Sequence, residues 1–364
     1  MKFLRLAFYV LIAQLVLSGC AGEGVEETSS SSSSEINFDA YLGRNASTRS
    51  SVTNITSLKG KEFNSGFGVF ARYKHNGAIS SLMDNEHVTW KGDHWGYANT
   101  RYWPNEGKVD FYAFAPHSGI VKLEKKPGSN EANPTCIYFP SNMSPVDLVW
   151  ANAKDQTKTN EPVNFTFNHA LARLGFDIKA NQDLEKNGAV ITVNKVILYG
   201  ASETSGVFVM AGYLNLENGD WDPVDNGTSW LYTWTPDGKE DGKEDGKEDG
   251  KEDDKNDGTV LKLSAPPLLD DKHDKITNDA DSYIFIIPQP KPQNFNLKII
   301  YTVKQGDFEE EVTVTKNLLD VLPGNSDPYF KGGKAYVFHF KLSLNPVKFS
   351  VTPDVHPWDE VKNE

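Results

Sequence analysis

Glu35-Ile36-Asn37-Phe38-Asp39-Ala40-Tyr41-Leu42-Gly43-Arg44 is the stretch on which the reading of this chain turns. Ile36, Phe38, Ala40 and Leu42 alternate with Asn37, Asp39 and Tyr41, so a strand here would gather its apolar side chains on one face. This candidate strand is isolated in the sequence. Ahead of it lies Ala21-Gly22-Glu23-Gly24-Val25-Glu26-Glu27 and then a serine run, Ser29 to Ser34, too polar and repetitive to bury anything, which reads as a flexible tether. Behind it comes Asn45-Ala46-Ser47-Thr48-Arg49-Ser50-Ser51, small and polar in the manner of an exposed, protease-accessible loop. Arg44 borders that loop and Arg49 lies within it.

Further out, the N-terminus carries Lys2 and Arg5, an apolar run from Leu6 to Leu17, and Leu17-Ser18-Gly19-Cys20. A membrane span needs about 20 apolar residues, so this run is too short to be one and has the form of a secretion signal. The small residues before Cys20 give the pattern of a bacterial lipoprotein signal. Cleavage would leave Cys20 as a lipidated N-terminus, and two or more acyl chains at about 0.8 kcal/mol per methylene are enough for stable anchoring outside the cytoplasm.

In the other direction, strand-type segments follow one another from Gly66 onward with turn signals between them. They run Gly68–Tyr73, His87–Lys91, Val109–Ala115, Leu148–Ala151, Val163–Asn168, Leu174–Lys179, Ala189–Tyr199 and Val207–Tyr213. The series continues through Thr228–Thr235, Val260–Leu263, Ser282–Ile287, Phe295–Lys304, Phe308–Thr315, Ala335–Leu344 and Val347–Val351. No long helical period occurs. Many short strands bounded by Gly, Pro and Asn predict an all-β chain of two β-sandwiches in tandem. The division falls near residues 165 to 180, giving residues 50–168 and 169–364 to the two domains after a signal, 1–20, and a tether with its strand, 21–49.

Within the second domain Asp237-Gly238-Lys239-Glu240 opens a tandem repeat, and low complexity extends through residues 237–258. It cannot form a core and reads as a solvated hairpin loop grown by repeat expansion, which loops tolerate cheaply. Alternating lysines and the absence of the spaced Asp/Asn pattern with a final Glu argue against calcium there.

The chain has 37 basic and 50 acidic residues, a net charge of −13, which makes nucleic acid and a bare anionic membrane surface poor partners. With Cys20 lipidated, Cys136 has no partner for an intramolecular disulfide, and its setting in Thr135-Cys136-Ile137-Tyr138-Phe139 is that of a strand interior. His87 and His94 flank Lys91-Gly92-Asp93, a hairpin turn, and no third metal ligand accompanies them. No phosphate loop, dinucleotide fingerprint, Gly-x-Ser-x-Gly elbow or His-Glu-x-x-His motif occurs, so the reading is of a non-enzymatic protein without cofactor or metal. The aromatic cluster Trp90, Trp95, Tyr97, Tyr102 and Trp103 has two readings. It fills a sandwich core, which is preferred, or it exposes Trp90, Trp95 and Trp103 for stacking on sugar rings.

Several short motifs combine with the lipobox at Cys20 and the Ala46-Ser47-Thr48-Arg49 loop. They are Phe67-Gly68-Val69-Phe70-Ala71, Tyr102-Trp103-Pro104 and Val109-Asp110-Phe111-Tyr112-Ala113-Phe114-Ala115-Pro116. Next come Asp147-Leu148-Val149-Trp150-Ala151, then Val163-Asn164-Phe165-Thr166-Phe167-Asn168-His169-Ala170-Leu171-Ala172-Arg173-Leu174, and Tyr336-Val337-Phe338-His339-Phe340 before an end at Trp358. In this order and spacing the chain resembles the fimbrillin family, the pilin subunits of type V pili in anaerobic Gram-negative bacteria.

The resemblance implies two transthyretin-like β-sandwich domains in a precursor lipoprotein, carried to the outer membrane and cut after an arginine by a surface protease. Arg49 matches that site, with Arg44 second. Removal of the first strand, which corresponds here to Ile36, Phe38, Ala40 and Leu42, would open a groove for a strand of the next subunit. The family places the donor strand at the C-terminal end, where Val347, Phe349 and Val351 alternate. The partners expected are other pilin subunits, the arginine-specific protease, the outer membrane through the lipid, and host or bacterial surface glycans. The alternative is a monomeric surface lipoprotein that binds glycans. A C-terminus that closes its own sheet would suit a tip subunit, and a retained Cys20 with an uncut tether would suit an anchor.

Overall fold

The computed structural model describes residues 34–42, 53, 55–61, 65–139, 147–180, 188–209, 211–224, 229–230, 232–234, 284–322, 328–342 and 350–357. In chain order the first nine strands are β1 Phe38–Leu42, β2 Phe67–His75, β3 Ala78–Trp90, β4 Trp95–Gly96, β5 Lys108–Ala115, β6 Leu123–Glu124, β7 Cys136–Phe139, β8 Val149–Gln156 and β9 Val163–His169. Then follow β10 Ala172–Ala180, β11 Val190–Tyr199, β12 Phe208–Val209, β13 Gly212–Asn215, β14 Trp221–Pro223, β15 Ser229–Trp230 and β16 Tyr232–Trp234. The last seven are β17 Ile284–Ile286, β18 Gln289–Pro290, β19 Asn296–Gln305, β20 Phe308–Asn317, β21 Tyr329–Phe330, β22 Lys334–Leu342 and β23 Ser350–Pro357. One short helix, α1 Ile55–Leu58, precedes β2.

The expected all-β class holds, and the two halves build it differently. In the C-terminal half two four-stranded sheets, β17-β10-β22-β23 and β16-β11-β19-β20, enclose a core of residues such as Leu174, Ile191, Ile299, Tyr301, Phe338 and Phe340. In the N-terminal half the strands β1-β4-β3-β2-β5-β8-β9 join edge to edge in that order and close into a barrel. Closure removes the open edges that would otherwise pair with other chains, and β1 is the strand that completes it.

The apolar run of β5 follows from its position between two cores. Val109, Phe111, Ala113 and Ala115 face the barrel interior, while Tyr112 and Phe114 face a separate cluster with Phe70, Ile137, Leu148, Leu214, Phe285 and Ile287. A strand covered on both faces reads as continuously apolar, whereas β9, covered on one, shows strict buried and exposed alternation. The second cluster draws on both sides of residue 168, as does the sheet β14-β13-β7-β6, in which Leu214 of β13 pairs with Ile137 of β7.

Local chemistry sets the turns. Asn76 and Gly77, both at positive φ (50° and 78°), form the two-residue connection between β2 and β3, as a hairpin whose turn must match strand twist requires. The Lys91-Gly92-Asp93 turn is present: Trp90 pairs with Trp95 and the Lys91 N–H donates to the His94 carbonyl at 2.8 Å. Cys136 lies buried in β7, where desolvation raises its thiol pKa. The expected strand at Val207–Tyr213 is two strands, β12 and β13, on different sheets. Of the expected Val347–Val351 strand, residues 350–351 lie in β23, which continues to Pro357, and residues 347–349 lie outside the described residues. Val260–Leu263 and the 237–258 repeat lie outside the described residues.

Candidate functional site

β1 and the residues leading into it occupy a built seat. Five consecutive residues of β1 pair in parallel with β9, from Phe38↔Val163 to Leu42↔Phe167, and Phe38 alone pairs with Trp95 of β4 on the other side. The lead-in is also tied down. The Ile36 N–H donates to the Arg101 carbonyl at 2.8 Å, the Trp103 N–H to the Ser34 carbonyl at 2.9 Å, and the Val163 N–H to the Asn37 carbonyl at 2.8 Å. The Tyr97 hydroxyl donates to the Ile36 carbonyl at 2.8 Å and accepts from the Arg101 N–H at 3.1 Å. Burial raises the pKa of that phenol, which keeps it a donor.

The side chains follow the alternation seen in the sequence. Ile36, Phe38 and Leu42 are 1%, 3% and 4% exposed and belong to the barrel core, Ala40 packs against it half-buried, and Tyr41 faces out at 57%. Phe38 is the center of the seat. Its ring stacks on Phe165 at 5.6 Å and meets Phe111 and Phe67 edge-on at 5.7 and 6.4 Å, with Tyr97 tilted against it at 5.6 Å. Burying each of the three large side chains is worth about 1.5–3 kcal/mol. Pockets of this kind give a strand its register, and the paired main chain gives it affinity.

The aromatic cluster goes into the structure. Trp95 and Trp103 are each 3% exposed within the barrel core, so neither offers a ring face to a sugar; this corrects the glycan-contact reading for both. Trp90 is half-buried against Trp95, and the Lys59 ammonium sits 3.7 Å from its ring centroid, covering the face that stacking would use. His87 and His94 do not converge. The His87 ring contacts the Ser65 carbonyl at 2.7 Å, and His94 pairs with Asp93 at 2.6 Å. Among the described residues no group of three or more His, Cys, Asp or Glu is arranged to hold a metal.

Of the expected donor residues, Val351 lies in β23, half-buried against the C-terminal core and paired with Phe340 of β22. Val347 and Phe349 lie outside the described residues, as do Cys20, Arg44 and Arg49. Phe165 and Phe167, which wall the seat, were not singled out as site residues by sequence, and Trp103 was singled out only as a glycan contact; the Phe-Thr-Phe alternation of β9 is the local signal that marks the two phenylalanines.

This is a β-protein with three apolar clusters, whose barrel is completed by the first strand of the described chain. The fimbrillin-like family model matches residues 48–358, and the chain belongs to that family. It is 26% identical to the fimbrium subunit Fim1C of Phocaeicola vulgatus over 386 aligned residues, covering 96% of each chain. A fimbrial protein structure from Bacteroides vulgatus aligns with a TM-score of 0.56 at 21% identity, covering 89% of this chain and 99% of the other. A candidate cell adhesion protein from Bacteroides uniformis aligns with a TM-score of 0.51 at 16% identity, with the same coverage. Both likenesses show the fold.

Proposed function

We propose that this fimbrillin-like chain is the precursor of a structural subunit of a surface fimbria, assembled by protease-triggered strand exchange and supporting adhesion. The family is one of fimbrial subunits, not of enzymes, and places the chain at the cell surface with other pilin subunits as partners. In the finer reading, Cys20 carries the lipid that holds the precursor at the outer membrane, and an arginine-specific protease cuts after Arg49 or, second, Arg44. β1 then leaves, and a C-terminal segment of another subunit carrying Val347, Phe349 and Val351 takes its place.

The observation that carries this reading is the position of β1. It is the terminal strand of the described chain, it alone bridges β9 and β4, and the family match begins at residue 48, leaving β1 outside it. A strand held by one parallel ladder and a row of pockets can be exchanged for another with the same alternation. Keeping it in place until cleavage shields an apolar groove from aggregation. β23, docked on its own sheet, would be released for donation in a stalk subunit and would stay docked in a tip subunit.

The test is to treat the precursor, lacking its signal, with an arginine-specific protease and to record the new N-terminus by mass spectrometry and size by native electrophoresis. A start at Ser50 with a ladder of oligomers supports the reading. Clean cleavage without a ladder points to a tip or anchor subunit, and resistance at both arginines overturns the protease step.

A further inference from the structure

Two motifs that the proposed function leaves unused meet in the structure. Asp147 opens the segment Asp147-Leu148-Val149-Trp150-Ala151 and His169 closes β9, and both are buried, at 0% and 8% exposure. The Asp147 carboxylate contacts the His169 Nδ1 at 2.9 Å and accepts the Thr53 backbone N–H at 2.7 Å, while the Asp147 carbonyl accepts the Thr53 hydroxyl at 2.5 Å. Thr53 itself is 6% exposed. Burial pushes the Asp147 carboxyl pKa up, and the His169 contact, the Thr53 N–H and the Arg173 charge oppose it. A carboxylate taken out of water is costly unless its oxygens are satisfied, so this group strongly selects for the donors around it, and one of them is the main chain at Thr53.

The location gives the contact its meaning. Thr53 lies four residues after Arg49. Leu42, the last residue of β1, pairs with Phe167, two residues before His169 on the same strand. The arginine-bearing segment is thus fixed at both flanks to one region of β9, by a strand on one side and by a buried polar clamp on the other. Just past the clamp, α1 sends Leu58, 2% exposed, into the same core that holds Phe38.

We propose that the Asp147–His169 pair is a retention clamp for the N-terminus that processing creates. It holds the chain from Thr53 onward on the body independently of β1, so that a cut between the two anchors frees β1 alone and leaves Leu58 in the barrel. The partner of this site is the chain's own main chain and hydroxyl at Thr53, with Leu58 of α1 just beyond it. The consequence for processing rests on the cleavage reading above; the independence of the two anchors does not.

Hydrogen exchange by mass spectrometry on the full chain lacking its signal tests both parts separately. In the uncut chain, Phe38→Ala is expected to speed exchange in residues 36–42 far more than in residues 53–58, where α1 packs on β1 but the Thr53 bonds remain; an equal rise in both overturns the clamp. Thr53→Ala, which removes only the hydroxyl bond, is expected to speed exchange in residues 53–58 by about two- to tenfold without altering residues 36–42. Asp147→Ala is expected to raise it by about 100-fold, and unchanged protection in a folded Thr53→Ala or Asp147→Ala protein overturns the clamp. After arginine-specific cleavage, wild-type residues 53–58 should stay protected while the β1 peptide departs. Loss of both together contradicts retention, and failure to cut contradicts the cleavage reading while the uncut comparison still decides the clamp.

Discussion

β1 and β23 are the first and last strands of the described chain, and they are held by opposite means. β1 has five parallel pairs with β9 and one further pair with β4, yet it and its lead-in place three large apolar side chains at 1–4% exposure in the barrel core. β23 has eight antiparallel pairs with β22, yet Val351 is only half-buried and Val355 is 45% exposed. Each ladder bond nets about 0.5–1.5 kcal/mol, while each deeply buried side chain brings about 1.5–3 kcal/mol. One strand is therefore defined by its side chains and the other by its backbone. A seat defined by pockets accepts any strand with the right alternation, and a strand held by its backbone can peel away without leaving a large void. This is the asymmetry that the proposed strand exchange would use, with β1's seat as acceptor and the C-terminal segment as donor.

The sharpest way to break the comparison is Phe38→Ala. Removing a ring packed on Phe165, Phe111, Phe67 and Tyr97 is expected to cost the precursor about 3–5 kcal/mol in denaturant unfolding. On the strand-exchange proposal the same substitution should leave the processed protein unchanged, because β1 would be gone from it; equal losses in both forms would mean that β1 stays.

Acid provides the next lever, and it acts on the barrel half. His117 stacks on His87 with ring centroids 3.7 Å apart, and burial together with the His87 imidazole brings its pKa down to about 4. The folded state thus disfavors the proton that the unfolded chain takes up near pH 6.5. This contribution is complete above about pH 6.5 and is lost progressively as pH falls toward 4. Because the ring is partly exposed, the full shift must be discounted, to about 1–2 kcal/mol. Melting curves from pH 7 to pH 4.5 should show the loss, and His117→Phe should flatten it.

Val351→Ala in β23 is expected to cost about 1 kcal/mol in the same unfolding measurement, well below the effect at Phe38. A loss of 3 kcal/mol or more there would place side-chain anchoring at both ends and dissolve the asymmetry. An effect of similar size is expected from Tyr97→Phe, which removes the hydroxyl bonded to the Ile36 carbonyl for about 0.5–1.5 kcal/mol. Its signature should be faster exchange at residues 36–38, with β9 unaffected in the processed form.

Much of this was legible in the sequence because it is written locally. The alternation of Ile36, Phe38, Ala40 and Leu42 foretold which side chains β1 buries, and Lys91-Gly92-Asp93 foretold a turn. The first part of β3, Ala78 to Glu86, escapes the sequence reading because it starts as the solvent-facing end of a long hairpin and sends only Met83 and, partly, Leu82 toward the core. β23 runs on through Pro353 to Pro357, beyond the expected end at Val351, as an edge strand can where no ladder bond is needed. What no local pattern encodes is partnership across distance. The parallel docking of β1 on β9 joins residues 125 apart, as Phe38↔Val163 shows, and the clamp joins Thr53 to Asp147 across 94. Both Asp147 and His169 stood in recognizable motifs, yet only the fold reveals that they share one hydrogen-bonded site.

If subunits join by strand exchange, β1 must leave its seat, and a reversible lock on β1 decides whether it does. Tyr41 and Thr166 lie opposite each other on β1 and β9, and both are exposed. Neighboring strands are about 4.8 Å apart, within reach of a disulfide, so Tyr41→Cys with Thr166→Cys should bridge them without touching the core. The oxidized precursor is expected to be cut by the arginine-specific protease, to retain its first strand and to form no ladder, and a reductant is expected to restore assembly. A ladder formed while the bridge is intact would contradict it.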